Sequence, residues 1–152
     1  MQSYMLNIEQ IKKLREETGV SITECKKALT ETNGNIEQAK EILKNRSKEL
    51  ARGKKDRVTG QGIIESYIHT NKKLGVLLEL DCETDFVAKS ADFETLAHEL
   101  CLQIAAIDDG ETPLLKQAWI KDESKTIKEL IDEYIAKVGE NITVKRFIRY
   151  EL

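Results

Sequence analysis

The run Cys82-Glu83-Thr84-Asp85-Phe86-Val87-Ala88-Lys89 is the most informative stretch of this chain, because it gathers several reactive side-chain types at the join of two patterned segments. A thiol, two carboxylates, a hydroxyl and an amine lie within eight residues. A nucleophile arrangement of Cys82, His98 and Asp85 can be written on paper, but such a triad is defined by geometry, which spacing does not supply. His69 and His98 are the only histidines, and neither stands in metal-ligand spacing with a cysteine. Gly60-Gln61-Gly62 lacks both the spacing and the lysine of a phosphate-binding loop, so nucleotide binding by the chain itself is not expected. What remains is Phe86, a large aromatic beside an acid, on a junction. Such a residue either plugs the local core or anchors a binding partner. Spacing alone favours the core.

The elements around this run set the choice. Upstream, Val76, Leu78, Leu80 and Cys82 alternate with other residues, the period of a strand with one buried face. Downstream, Phe93, Leu96, Ala97, Leu100, Cys101 and Ile104 recur at helical spacing. Phe86 belongs to neither set. The wider pattern predicts antiparallel strands over Ile63 to Thr70 and Leu74 to Glu83, joined by Asn71-Lys72-Lys73. Helices follow from about Ala91, capped by Ser90, and from Ser124 to Val138 with Gly139 as a stop. A final strand runs from Ile142 to Leu152. The segment from Leu114 to Ile120 carries no clear pattern.

The N-terminal part reads as three short amphipathic helices. Asn7-Ile8-Glu9-Gln10 and Ser21-Ile22-Thr23-Glu24 resemble capping boxes, Gly19 is a helix stop, and Thr32-Asn33-Gly34 is a turn before a third start at Asn35. Lys44 to Arg57 is mostly basic. Without interleaved aromatics it reads as a solvated linker helix before it reads as an RNA patch.

Composition excludes more than it selects. The 152 residues suffice for one or two small domains, and a formal net charge of −3 implies no general nucleic-acid affinity. No stretch approaches the ~20 apolar residues of a membrane span. Met1-Gln2-Ser3-Tyr4 shows no basic n-region, so the expected location is cytoplasmic. Cys25, Cys82 and Cys101 all fall on apolar stripes and are expected to be buried reduced thiols.

Three runs carry a resemblance. Tyr67-Ile68-His69-Thr70-Asn71 followed by Gly75 to Lys89 is similar to the signature of bacterial translation elongation factor Ts. Leu14-Arg15-Glu16-Glu17-Thr18-Gly19 with Glu24-Cys25-Lys26-Lys27-Ala28-Leu29 resembles the N-terminal module of that family, and Lys137 to Phe147 its C-terminal strand. The runs stand in the family's order and together cover nearly the whole chain.

The resemblance implies an α+β fold. A ubiquitin-associated-like three-helix domain would span 1–46 and a basic linker 47–61. A single α+β core, with an antiparallel sheet of about three strands packed by helices, would span 62–152. Longer members carry a second α/β subdomain and a coiled-coil insertion, for which this chain has no room. The resemblance implies a guanine nucleotide exchange factor for elongation factor Tu, with no cofactor and no covalent chemistry of its own. Phe86 would be a wedge that enters the nucleotide-binding domain of the GTPase, with Asp85 as its partner and Thr84 and Val87 completing the motif. Magnesium on the GTPase would be displaced. Arg15, Val20, Ile22 and Thr23 would form a second contact on the N-terminal module. Ile22 could equally pack behind the Ser21 cap. The family often has glycine where Lys72 stands, and if the turn keeps positive φ there, lysine carries a cost. A homodimer could supply the missing second unit. The alternatives are an interaction module without exchange activity and an RNA-binding domain using Lys44–Arg57.

Overall fold

The computed structural model describes residues 5–152, so the reading of Met1 to Tyr4 falls outside the described residues. Helix α1 spans Ile8–Thr18, α2 Ile22–Glu31 and α3 Ile36–Lys54. They enclose a small core of Ile11, Leu14, Cys25, Ala28, Leu29, Ala39 and Leu43, edged by Val20, Ile36 and Ile42. The starts are local. The side chains of Asn7, Ser21 and Asn35 accept from the backbone N–H of Glu9, Glu24 and Gln38. Gly19, at φ 69°, ends α1. The boxes expected at Asn7 and Ser21 are used differently. Gln10 donates to the carbonyl of Gly34, and the Glu24 carboxylate accepts from Arg46 on α3 at 3.2 Å. The first contact ties α1 to the turn before α3, and the second ties α2 to α3.

The basic run lies within and just beyond α3, which continues without a break to Lys54. Its inner face is docked, with Ser47 and Ala51 each 5% exposed. Lys44 and Lys48 reach Glu129 at 2.6 and 3.6 Å, and Arg46 pairs with Glu24 and Glu31. Arg57 stands 3.6 Å from Glu83. Many of the cations that could face a polyanion are therefore paired with acids of the chain itself.

The larger core lies under an antiparallel sheet in the order β1-β2-β5, from Gln61–Ile68, Leu74–Cys82 and Ile142–Glu151. The fold is α+β, as expected. Val76, Leu78, Leu80 and Cys82 face inward from the central strand. They meet Phe93, Leu96, Leu100 and Ile104 of α5 (Ala91–Ala106) and Ile127, Leu130, Ile131 and Ile135 of α6 (Ile127–Val138). The alternation predicted from sequence puts the opposite residues in solvent. Ile64, Ile68, Leu77, Ile148 and Tyr150 line the outer face and are all exposed.

The patternless segment resolves into a 3-10 turn at Leu114–Lys116 and a hairpin of β3 (Ala118–Trp119) and β4 (Asp122–Thr126). The helix expected from Ser124 starts instead at Ile127, because Ser124 to Thr126 lie in that second strand. Thr126 then caps α6 in a complete box with Glu129. Gln103, fully buried on α5, holds the hairpin. Its amide nitrogen donates to Gln117 and to the carbonyl of Ala118, and its oxygen accepts from the N–H of Ile120 at 2.9 Å. A buried amide is tolerated only when it is satisfied in this way. No helix among the described residues is long and apolar enough to cross a membrane.

Candidate functional site

Between β2 and α5 the chain makes one four-residue helical turn, α4 (Asp85–Ala88). A single turn is not stable by itself, because nucleation fixes several residues for little return. Two features hold it. Thr84 is its N-cap, with the hydroxyl accepting from the N–H of Val87 at 3.2 Å. Val87 and Ala88 are buried, 9% and 2% exposed, and anchor the turn to the sheet core. At 100° per residue, a turn that points 87 and 88 inward must point 86 away. Phe86 is accordingly 88% exposed. The core-plug reading of Phe86 is wrong for this geometric reason, and Val87 takes the buried place instead.

Asp85 stands beside Phe86 and pairs with Lys89 at 2.8 Å, one turn on. The carboxylate raises the Lys89 amine through that hydrogen bond. Both groups are exposed, so the pair contributes little to stability and its members remain open to outside charges.

The turn is gripped from the far end of the sequence. Glu140 follows Gly139, the left-handed residue (φ 78°) that ends α6. One oxygen of its carboxylate accepts from the N–H of Glu83 at 3.2 Å and of Thr84 at 3.0 Å. The other accepts from the Thr84 hydroxyl at 2.7 Å. The grip is reciprocal, because Glu83 accepts from the N–H of Asn141 at 3.1 Å. The Asn141 side chain in turn donates to the carbonyls of Lys55 and Arg57, just past α3. Sequence reasoning did not assign a role to Glu83, Glu140 or Asn141. The available signal was that two family-like runs, Gly75 to Lys89 and Lys137 to Phe147, occur in one chain; only folding shows that they meet.

The paper triad is not assembled as a nucleophile. Cys82 is fully buried with its thiol donating to the carbonyl of Thr84 at 3.2 Å, and burial pushes it up to about 11. An activated thiol needs the opposite shift. His98 lies exposed on α5. All three cysteines are free and buried, and burial lifts Cys101 to about 12. Among the described residues no group of three or more His, Cys, Asp and Glu could hold a metal ion.

The N-terminal candidates share one region. Arg15 and Thr23 are exposed, Val20 is half-buried against the small core, and Ile22 is 45% exposed at the first position of α2. Ile22 is therefore at the surface and not a plug behind the Ser21 cap. Arg15 and Val20 flank the turn at Gly19, while Phe86 projects from the other core. The structure does not bring the two sets into one pocket.

These features define an α+β protein with a three-helix module, a helix-covered antiparallel sheet, and an aromatic held outward on a clamped turn. Comparison with known proteins gives the particular family. The model of the family described as elongation factor TS matches residues 83–152, starting at the clamped turn. Proteins named elongation factor Ts are similar over most of the chain. That of Syntrophomonas wolfei is 39% identical, covering 97% of this chain and 91% of its own length. Those of Coprothermobacter proteolyticus and Thermotoga maritima are 40% and 39% identical, covering 93% and 97% of this chain and 95% and 96% of their own. The chain belongs to the elongation factor Ts family and so to the factors of translation elongation. The first alignment runs over 194 positions against 152 residues here, so at least 42 positions of that relative have no counterpart in this chain.

Proposed function

We propose that this chain is a guanine nucleotide exchange factor that binds elongation factor Tu and promotes GDP release. Family membership supports the partner. The observation that carries the mechanism is Phe86, 88% exposed on a turn whose backbone is fixed on both sides. A large aromatic held in water on a rigid mount is arranged to be buried by something else.

In this reading Phe86 enters an apolar pocket on the nucleotide-binding domain of the GTPase. Removing a Phe side chain from water contributes about 1.5–3 kcal/mol. Asp85 lies beside the wedge and can exchange its exposed partner Lys89 for charges on the GTPase. Magnesium demands near-ideal octahedral geometry, so a small displacement of its surroundings loosens metal and diphosphate together. Thr84 and Val87 shape the wedge without entering the pocket. Arg15, Val20, Ile22 and Thr23 form the second contact, on the three-helix module. The coupling is reciprocal: by whatever factor the exchange factor weakens GDP, GDP weakens the exchange factor. No covalent step is needed, and the chain acts as a selective binder of the nucleotide-free state.

The same proposal includes a homodimer. The outer sheet face presents Ile64, Ile68, Leu77, Ile148 and Tyr150 opposite the helices, with Ser66 and the ion pair of Glu79 and Arg146 among them. A second copy laid sheet to sheet would cover it in the manner of a β-sandwich and supply a second α+β unit.

Release of fluorescent GDP from elongation factor Tu, followed by stopped flow, tests the function. The native chain is expected to accelerate release, and Phe86→Ala to stimulate ~10–100-fold less, the scale of a hot-spot truncation. Because Phe86 is exposed, the variant should keep the native unfolding midpoint. A folded variant with native stimulation would remove Phe86 from the mechanism. Binding without stimulation by the native chain would leave only an interaction module.

A further inference from the structure

The acid that grips the Phe86 turn does not itself reach the exposed aromatic, yet it joins the two ends of the fold at that point. Glu140 accepts three hydrogen bonds, from the backbone N–H groups of Glu83 and Thr84 and from the Thr84 hydroxyl. With its proton donated to Glu140, the Thr84 hydroxyl turns a lone pair to the N–H of Val87. The cap of α4 is therefore oriented by Glu140, and the cap together with the buried Val87 and Ala88 holds Phe86 in its direction.

We propose that Glu140 is the positioning residue for Phe86: its carboxylate fixes the turn so that the aromatic is presented in one direction before the partner arrives. This rests on the exchange-factor reading for its consequence, but not for its geometry. Preorganisation matters here because a wedge that wanders must be ordered on binding, and that ordering subtracts from the work available to open the nucleotide site. A carboxylate suits the task. It offers two acceptor oxygens and no donor, and a charge-assisted bond to backbone N–H groups is about twice as strong as a neutral one. The anion also sits at the start of α4, beside N–H groups with no partner inside the turn. Glutamine keeps one acceptor for the two backbone groups but places an NH2 against the Thr84 hydroxyl. It should hold the backbone and deprive the hydroxyl proton of its acceptor, which loosens the cap without removing it.

Two measurements decide the matter. The first is amide hydrogen exchange over residues 83–88 in the native chain, Glu140→Ala and Glu140→Gln, with protection of α5 and the central strand as the internal reference. Glu140→Ala should speed exchange at Glu83, Thr84 and Val87 by at least ~10-fold, the scale of losing bonds to a charged acceptor, while the reference amides hold. Glu140→Gln should leave Glu83 and Thr84 protected and speed exchange at Val87 less than Glu140→Ala does. The second is a double-mutant cycle in GDP release from elongation factor Tu. Glu140→Ala should reduce stimulation in the native background and have no further effect in the Phe86→Ala background, because a residue acting through Phe86 has nothing left to position.

Unchanged exchange over 83–88 in Glu140→Ala would overturn the proposal. So would equal losses in both backgrounds, which would show that Glu140 acts by another route. If the native chain does not stimulate release, the functional reading falls, and the exchange measurement alone still decides whether Glu140 orders the turn.

Discussion

Lys72 carries the clearest residue-scale conflict in the structure. It holds φ 60° in the β1–β2 turn, a left-handed backbone that favours glycine. The turn survives because Asn71 accepts from the N–H of Lys73 at 2.9 Å and Lys72 donates its N–H to the carbonyl of His69 at 2.8 Å. The lysine side chain is exposed and adds no buried contact. Lys72→Gly should therefore stabilise the fold by up to about 1 kcal/mol, read as a higher urea midpoint at constant m-value. A lower midpoint would show that the extra freedom of glycine in the unfolded chain outweighs the relief of strain. The sequence already pointed to this residue, since a turn tripeptide between two alternating strands has few geometries. It could not settle the sign of φ. Phe86 is the same kind of case. Its type and its place on a junction were legible, and its direction was not, because direction depended on which neighbours the core claimed.

At the scale of elements, local signals and pairing divide the work. Helices α1, α2, α3 and α5 begin at caps that the sequence spells out, since Asn7, Ser21, Asn35 and Ser90 satisfy N–H groups within three residues of themselves. The alternation of β2 and β5 was also readable. The β3–β4 hairpin was not. Its five-residue second strand, Asp122–Thr126, has no buried residue, so no hydrophobic period marks it. It pairs with Ala118–Trp119, and Gln103, on a helix fifteen or more residues earlier, bonds that first strand and the turn at Ala118 and Ile120. The start of α6 follows from the hairpin, and Thr126 is the joint. It ends β4, caps α6 and forms both halves of the box with Glu129. Thr126→Ala should cost about 0.5–2 kcal/mol in a urea titration. Thr126→Ser should restore most of it. A loss shared equally by both variants would mean that the methyl group, not the cap, does the holding.

Across the whole molecule, two small cores are joined by α3, which belongs to both. Its first half closes the three-helix core through Ala39 and Leu43, and Ala51 enters the sheet core. Lys44 and Lys48 on Glu129, together with Asn141 on the carbonyls of Lys55 and Arg57, fix the helix at its middle and its end. The proposed contacts at Arg15 and Phe86 are thus held on one frame. The exposed sheet face belongs to this scale as well. Leu77 lies at its centre, on the middle strand and opposite Ile148. Leu77→Glu should leave the monomer folded, because the side chain is half exposed, and should shift light scattering from dimer to monomer. A native chain that scatters as a monomer at working concentration would reject the dimer outright.

The sequence by itself determined whatever depends on neighbours along the chain: helix starts at capping residues, the inward face of each long strand, burial of the cysteines, and family-like runs in order. Periodicity and capping act over a few residues, so a linear reading can follow them. Tertiary structure alone decided that Phe86 faces water, that Glu140 and Asn141 close on Glu83 and Thr84, and that the basic helix spends Lys44, Arg46 and Lys48 on the chain's own acids. Each of those outcomes is a competition among groups distant in sequence for the same buried space or the same hydrogen bond. Which group wins is fixed only when the chain has brought them together.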